Sequence, residues 1–337
     1  MSLRTPVVSV TVEDGPPLVV APPRPLPALS VADGEDAPPY VRAASALVAW
    51  RGGWILVQDD AAWLARLDAE GRSAEGIALP AGTDGRRVFE ARLGNKHHKP
   101  DTEAAFAWKD TLYALGSGSA PGRDRWFALG PDGDPRSASW PAGYEALRAC
   151  TPFAGRWLNV EGACVVDETL WLANRGNGGG PDTDEAVDAL LAFDAASWVA
   201  ALHAGTAPPD PSVCVAIAPA RFEGVRRTLT DLAAGPGGVW TLWSAEDSPN
   251  AVDDGEVLGS WLGVPDGATW RLHPLVDAAG ERLRIKAEGL AIEGGRAYIV
   301  TDADDVDAPS AWLSLALPPV AEPAASEGAR RRVTMGV

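Results

Sequence analysis

Five residues that could bind a metal ion recur along this chain at nearly constant spacing. They are Ser45, Glu103, Glu161, Asp231 and Glu288, separated by 58, 58, 70 and 57 residues. Each opens a phrase with a short apolar run, such as SALVAW, EAAFAW and EGACVV. Calcium prefers oxygen ligands, roughly six to eight of them, in flexible geometry, whereas magnesium keeps several waters. If the fold brings these positions together, the set predicts a calcium site.

A second interpretation of the same positions needs no metal. Polar side chains at equivalent places would also suit a water-filled channel, or hydrogen bonds between neighbouring backbones. Buried like charges are costly, and they either take up protons or recruit a cation. The sequence leaves both interpretations open.

Basic residues cluster near these positions, although the formal net charge of the chain is −17. Arg and Lys around a cleft attract phosphate or carboxylate groups. We therefore predict that an anionic small molecule binds to Lys99, Arg148, Arg175, Arg227 and Lys286. Ion pairs with the many Asp and Glu residues are the alternative for each of them. His98, in the pair His97–His98, is a candidate catalytic residue because histidine titrates near neutral pH.

The composition excludes several classes of protein. A net charge of −17 argues against nucleic acid as a partner, because phosphate binding needs a basic surface. No apolar run approaches the length that spans a membrane, and the first residues do not resemble a secretory signal, so we expect a cytoplasmic protein that binds no membrane. The three widely spaced cysteines predict buried free thiols. The sequence has no GxSxG elbow and no HExxH helix, and it does not specify the oligomeric state.

The recurring positions begin five similar units. In each unit a turn and a second apolar run follow: WILVQDD, LYALGSGS, LWLANRGN, VWTLWSAED and AYIVTDADD. The third runs are WLARL, WFAL, LLAF, WLGV and WLSL. Fourth strands are predicted at 75–80, 136–141, 214–219 and 269–275. Trp63, Trp126, Trp261 and Trp312 begin four of the third runs, and we expect them to pack between units.

A repeat of this length with three or four short strands predicts an all-β fold, a five-bladed β-propeller with a central channel. A sixth blade in the irregular region 142–160 is the second possibility. We assign residues 1–40 to a proline-rich lead-in, 41–317 to the propeller and 318–337 to a C-terminal tail. The last unit lacks an outer strand, so we expect the N-terminal PLVVAP segment to supply it and close the ring. Residues 184–203 predict a strand and a short helical turn.

The phrases SALVAW, TEAAFAW, LTDLAAG and KAEGLAI, with QDD after the second run, resemble the apyrase-type soluble calcium-activated nucleotidases. That resemblance implies a five-bladed propeller with one calcium ion deep in the central tunnel. It implies that Ser45, Glu103, Glu161 and Glu288 are ligands, with Asp231 where the family has serine. It also places Asp59 and Asp60 near the cleavage site as catalytic candidates. The EG-plus-hydrophobic phrase is similar to six-bladed esterase-like and phytase-like propellers as well.

Three functions therefore remain open. The first is a calcium-dependent hydrolase that acts on a phosphorylated or otherwise anionic small molecule. The second is a non-catalytic propeller that binds a ligand or a protein partner, in which a channel ion only stabilises the fold. The third is a lactonase or esterase, which requires the metal at the open mouth of the channel. Fold class alone does not separate them.

Overall fold

Short β-strands dominate the chain, and the predicted all-β fold class is confirmed. The computed structural model describes residues 5–82, 85–177, 185–247 and 255–320. Of the predicted tail 318–337, residues 321–337 lie outside the described residues. The described lead-in contains β1 (Val7–Val10), β2 (Glu13–Asp14), β3 (Leu18–Val19), β4 (Arg24–Pro25) and β5 (Leu29–Ser30).

The remaining described strands belong to five successive sheets of mainly antiparallel strands. Sheet 1 contains β6 (Ala44–Trp50), β7 (Gly53–Gln58), β8 (Trp63–Leu67) and β9 (Ala74–Ala78). Sheet 2 contains β10 (Thr102–Trp108), β11 (Thr111–Gly116), β12 (Arg125–Leu129) and β13 (Pro135–Ser139). Sheet 3 contains β14 (Val160–Val166), β15 (Thr169–Asn174), β16 (Asp188–Asp194) and β17 (Val213–Ile217). Sheet 4 contains β18 (Ala220–Phe222), β19 (Val225–Gly235), β20 (Gly238–Asp247), β21 (Glu256–Asp266) and β22 (Thr269–Val276). Sheet 5 contains β23 (Lys286–Glu293), β24 (Arg296–Asp302) and β25 (Ala311–Ala316).

The sheets are arranged as a β-propeller. Five strands, here called the inner strands, pack side by side in the order β6, β10, β14, β19, β23 and back to β6. A cluster of buried apolar side chains fills the space between each pair of neighbouring sheets. Adjacent residues of one strand enter different clusters: Ile55 faces sheet 2 and Leu56 faces sheet 5. The two-residue side-chain period of a strand thus lets each sheet contribute to two clusters.

The predicted strand runs are confirmed. Most of the second, third and fourth runs coincide with strands to within two residues at each end, but β11, β15 and β24 end three residues before the predicted runs, and β21 begins five residues before its run. The four tryptophans that begin third runs are buried in the clusters between sheets, as expected. Aromatic and β-branched residues suit this position because they fill a wide gap from an extended backbone.

Each inner strand carries a bulge near its start. One residue has no partner on the second strand: Ser45, Glu103, Glu161, Thr230 or Glu288. In sheet 4 the bulge residue is Thr230, so Asp231 stands one place beyond the repeated position. Gly162 and Gly289 occupy that following place in sheets 3 and 5. A Cβ at Gly162 would lie 2.8 Å from the backbone N of Leu232 on the next inner strand, which is why glycine stands there.

The lead-in runs along the outer edges of four sheets. β1 pairs with β17, β2 and β3 pair with β22, β4 pairs with β25, and β5 pairs with β9. The outer strand of sheet 5 therefore comes from the lead-in. The prediction that PLVVAP supplies it was wrong, because the strand that pairs with β25 is β4. The PLVVAP segment contains β3, which pairs with sheet 4, because successive short strands follow the ring one sheet at a time.

Three α-helices lie beside sheets 2 and 3 in the described chain, which also has the 3-10 turns Ala91–Leu93 and Lys96–His98. The α-helices are α1 (Pro141–Ala149), α2 (Thr151–Ala154) and α3 (Ala195–Ala204). The possible sixth blade at 142–160 was wrong, because this region forms α1 and α2, whose Tyr144 and Phe153 extend the cluster between the two sheets. The strand and helical turn predicted at 184–203 correspond to β16 and α3, with residue 184 outside the described residues. None of the helices in the described chain is long and apolar enough to cross a membrane, and the three cysteines are free and buried.

Candidate functional site

A cavity of about 600 Å³ opens at the ends of the strands where the bulges lie. Its wall is strongly charged. The carboxylates that line it are Asp59, Asp60, Glu90, Asp101, Glu103, Glu161, Glu246, Glu288, Asp302, Asp304 and Asp305. The Arg and Lys side chains that line it are Arg42, Lys96, Lys99, Arg123, Arg175 and Lys286. Acidic groups therefore outnumber basic ones, and the wall favours cations.

Four of the five predicted metal ligands line this cavity. Ser45, Glu103, Glu161 and Glu288 do so, because each is the bulge residue of its inner strand. The hydroxyl of Ser45 donates to the carbonyl of Ala43 at 3.3 Å. The bulge position thus accounts for the repeat seen in the sequence.

Asp231, the fifth predicted ligand, does not line the cavity. Its Oδ1 accepts a hydrogen bond from the backbone N–H of Leu232 at 2.7 Å, and its Oδ2 accepts one from Leu290 at 2.7 Å. The side chain is buried, and burial raises the pKa of its carboxyl well above the ordinary value. Asp231 joins two inner strands, and in this geometry both carboxylate oxygens are committed to backbone.

Arg175 neutralises the acidic residues on one side of the cavity. Its guanidinium lies 3.5 Å from Glu161, 3.5 Å from Glu288 and 3.2 Å from Glu246. It also donates to the hydroxyl of Thr228 at 3.1 Å. Burial opposes the charge, but the three carboxylates raise the pKa of Arg175 above its ordinary value. Two predicted metal ligands therefore face a built-in cation that links sheets 3, 4 and 5.

Lys286 extends this neutralised side. Its ammonium lies 3.5 Å from Glu288, 3.6 Å from Asp302 and 3.2 Å from Asp304. Burial raises the pKa of Glu288 to about 8 despite the nearby Lys286 and Arg175. Arg175 and Lys286, both predicted to bind an anionic molecule, line the same cavity, where each is paired with carboxylates.

The opposite side of the cavity contains three carboxylates, here called the acidic trio: Asp59, Asp101 and Glu103. One oxygen from each lies within 4.8 Å of the others. Lys99 forms ion pairs with Asp59 and, at 2.8 Å, with Asp101. Among the described residues Glu103 has no hydrogen-bond or ion-pair partner. Burial, with the nearby charges of Glu161 and Asp59, raises the pKa of Glu103 well above its ordinary value.

Asp101 is held more firmly than the other members of the trio. Arg123 donates to its Oδ2 at 2.7 Å, and the hydroxyl of Ser117 also donates to that oxygen. Burial opposes ionisation of Asp101, but Lys99 and Arg123 outweigh it and lower its pKa. Sequence reasoning missed Asp101. The available signal was its place two residues before Glu103, in the segment that leads directly into β10.

The acidic trio fits a hard cation. All of its donors are carboxylate oxygens, the set that calcium prefers, and the Glu103 carboxylate has no hydrogen-bond or ion-pair partner in the part of the chain that the structure describes. Among the predicted metal ligands only Glu103 belongs to this trio. Glu161 and Glu288 face Arg175 instead, because this arginine directly follows the second strand of sheet 3.

The predicted catalytic residues are separated. Asp59 belongs to the acidic trio, and Asp60 lines the cavity and accepts from Arg42 at 2.7 Å. Burial and the charge of Asp59 raise the pKa of Asp60 to about 7. His98 lies on an exposed single turn, Lys96–His98, and does not line this cavity. Its ring packs on His97, with centroids 3.9 Å apart, and it lines a smaller cavity of about 160 Å³ next to the first.

Two predicted substrate-binding residues lie elsewhere. Arg148 is on α1 and donates to the carbonyl of Gly118 at 2.7 Å. Arg227 pairs with Asp14 of the lead-in and packs over the ring of Trp261. Both were predicted from their closeness in sequence to a recurring position, and loop and strand direction take them away from the cavity. Arg42, which sequence reasoning did not single out, is buried in the cavity wall between Asp60 and Glu90.

Comparison with solved structures finds several enzymes of low similarity. A glutaminyl cyclase from Myxococcus xanthus is 12% identical with a TM-score of 0.42, over 88% of this chain and 100% of that chain. A putative glycoside hydrolase from Parabacteroides distasonis is 10% identical with a TM-score of 0.45, over 82% and 87%. A putative glycosidase from Bacteroides thetaiotaomicron is 9% identical with a TM-score of 0.46, over 82% and 87%. At such TM-scores nothing about activity is transferred to this chain.

No curated protein matches the sequence. A family model does match, over residues 40–317, and it is not that of the nucleotidases. This range covers all five sheets and the residues of the cavity wall. The chain therefore belongs to the DUF6929 family, a family of unknown function.

Proposed function

We propose that this protein is a calcium-dependent hydrolase of a small anionic molecule, with its cation held by the acidic trio. The observation that carries the proposal is the Glu103 carboxylate, which lines the cavity beside Asp59 and Asp101 and has no hydrogen-bond or ion-pair partner among the described side chains. An unpaired carboxylate next to two others is unfavourable unless a proton or a cation joins it. Calcium suits the oxygen-only donors.

The cavity supports a small-molecule substrate. Its volume of about 600 Å³ falls in the range of small-molecule sites, roughly 300–1,000 Å³. When bound, the cation would polarise a carbonyl or phosphoryl oxygen of the substrate. Lys96 and His97, which line the cavity from an exposed turn, would attract and orient an anionic group. Arg123 would keep Asp101 in position as a ligand.

We also propose that each of the five sheets is one blade, and that the cavity is the mouth of a channel between the inner strands. The closed order of contacts among the inner strands supports this, as do the five clusters between neighbouring sheets. The bulge residues would then face the channel near this mouth. The trio would lie beside the axis, between sheets 1 and 2, and not on it.

The test compares Glu103→Gln with Glu256→Gln, an exposed residue paired with Arg284. Calcium binding is followed by calorimetry and by the rise in melting temperature. We expect the wild type and Glu256→Gln to bind calcium and Glu103→Gln to lose most binding, since it removes one charge from a ligand set. Hydrolysis of a panel of phosphate and carboxylate esters should stop on chelation. Equal calcium binding by Glu103→Gln would contradict the site.

A non-catalytic propeller is the second candidate, and the salt bridges of Arg175 favour it. They link three sheets and occupy carboxylates that would otherwise face a ligand. A purely structural ion would raise the melting temperature while no ester in the panel is consumed. That result, with calcium binding intact in the wild type, would replace the hydrolase proposal with this one.

A further inference from the structure

Lys99 occupies the place where a cation would bind the acidic trio. Its ammonium contacts two of the three carboxylates, Asp59 and Asp101, and its side chain is 15% exposed. Glu103, the third, has no partner within the described chain. The trio thus already holds one positive charge that belongs to the protein.

A divalent cation and this ammonium cannot both stay on the same oxygens. Like charges a few ångströms apart repel strongly where water is scarce. A cation among the trio also draws electron density from the oxygens of Asp59 and Asp101 that face Lys99, which weakens them as acceptors. Repulsion between the two positive charges therefore favours the release of Lys99 from at least one of its two ion pairs.

We propose that Lys99 is a built-in counter-ion that calcium displaces, and that the displaced ammonium then binds the anionic group of the substrate. This rests on the proposed function and deepens it, because it names the substrate class as a carboxylate or phosphoryl compound. It also makes cation binding a precondition for strong substrate binding. In the cation-free protein, Asp59 and Asp101 compete with any anion for Lys99.

The local structure allows Lys99 to move while Asp101 stays in place. Lys99 directly follows the exposed turn Lys96–His98, and its long side chain has several rotatable bonds. Asp101 keeps its contacts with Arg123 and Ser117 when Lys99 leaves. The planar guanidinium of Arg123 is thus suited to hold Asp101 in place as a cation ligand. The flexible side chain of Lys99 is suited to leave the trio and bind an anion.

Lys286 provides a matched control. It is similarly enclosed at the cavity wall, but its ion pairs go to Glu288, Asp302 and Asp304, outside the trio. Replacing either lysine with methionine removes the same charge from the same cavity. If the loss of any positive charge in the cavity raises calcium affinity, both variants will show it. If calcium competes with Lys99 for the acidic trio, only the Lys99 variant will bind calcium more tightly.

The first measurement is calcium affinity by calorimetry for the wild type, Lys99→Met, Lys99→Gln and Lys286→Met. Circular dichroism checks that each is folded, and Lys99→Gln keeps a hydrogen-bond donor if Lys99→Met does not fold. We expect calcium to bind both Lys99 variants at least about tenfold more tightly than the wild type, a size typical of coupling between sites. Lys286→Met should change much less.

The second measurement is the affinity for sulfate, a soluble anionic probe, with and without calcium. We expect calcium to tighten sulfate binding several-fold in the wild type, and by a much smaller factor in Lys99→Met. Because linkage is reciprocal, sulfate should tighten calcium binding by the same factor. An unchanged factor in Lys99→Met would overturn the role of Lys99 in anion binding.

The outcomes separate the two proposals. If all four proteins bind calcium with equal affinity, the proposed cation site stands and the counter-ion inference is overturned. If none binds calcium, the proposed function fails and the inference fails with it. Calcium binding by the Lys99 variants and not by the wild type would support both the site and the competition.

Discussion

The recurring carboxylates have different surroundings, and these surroundings decide what each carboxylate can do. Asp231 faces two backbone N–H groups, Glu161 faces the guanidinium of Arg175, and Glu103 faces the open cavity. Of these three, only Glu103 has no direct hydrogen-bond or ion-pair partner among the described residues. At the scale of single residues, a position in the repeat therefore predicts where a side chain lies in the fold better than it predicts which groups the carboxylate binds.

Replacing Asp231 tests this distinction. Asp231→Ala leaves the N–H groups of Leu232 and Leu290 buried without acceptors, and we expect it to lower the free energy of unfolding by about 2–4 kcal/mol. Asp231→Asn keeps one acceptor and should cost less. Both effects can be measured by urea unfolding. Loss of calcium affinity without loss of stability in Asp231→Asn would instead make Asp231 a ligand.

At the scale of elements, bulges and caps set the positions of side chains that the cavity and core require. The bulge at the start of each inner strand turns one residue out of the ladder. The helix α3 is placed in a similar way by its first residues. Asp194 accepts a hydrogen bond from the backbone N–H of Ser197 at 2.8 Å, and Trp198 is then buried between sheets 2 and 3.

The cap of α3 predicts a pH dependence. Hydrogen bonds from the hydroxyl and backbone N–H of Ser197 lower the pKa of Asp194 below its ordinary value of 3.8. A lowered folded-state pKa means that the stabilisation is complete above pH 3.8 and is lost as the pH falls through the folded value. We expect the melting temperature of Asp194→Ala to lie below that of the wild type at pH 6. The difference should shrink as the pH approaches 3.

Asp194→Asn is the control for this prediction, since it caps the helix without titrating. Its melting temperature should stay close to that of the wild type at pH 6. Because many other acids titrate over the same range, only the differences between variants report on Asp194. A difference between wild type and Asp194→Ala that does not change with pH would rule out the charged cap as the cause.

At the scale of the whole molecule, the lead-in connects sheets that are far apart in sequence. Its short strands pair with the outer edges of sheets 3, 4, 5 and 1 in turn. These edges would otherwise present unpaired backbone groups, which promote association between chains. The lead-in therefore both ties the ring together and covers its edges.

Removing the lead-in tests this role. A chain that begins at Ala32 loses β1 to β5, and we expect a lower melting temperature and concentration-dependent association, because four sheet edges become exposed. Thermal unfolding and light scattering measure the two effects. A chain that begins at Pro6 keeps all five strands and is the control. Equal melting temperatures and no association in the shorter chain would show that the lead-in is dispensable.

The sequence by itself determined the strands of the sheets, because apolar alternation and turn residues act locally. Four of the five recurring residues line one cavity, because a bulge at a fixed point of a repeated unit keeps its spacing; their role as metal ligands stays a prediction. In sheet 4 the sequence pointed to Asp231, but the bulge residue is Thr230. A shift of one residue exchanges the two faces of a strand, and it is too small to be noticed in repeat lengths that vary by more than ten residues.

The tertiary structure alone decided which charges meet. Arg175 lies at the end of β15, but it reaches carboxylates of three sheets, and no local pattern encodes a contact between Arg175 and Glu288. Lys99 and the acidic trio likewise depend on two sheets that come together around the cavity. Long charged side chains pair with the groups that lie nearest in space, and these distances are set only when the five inner strands have packed into a closed ring.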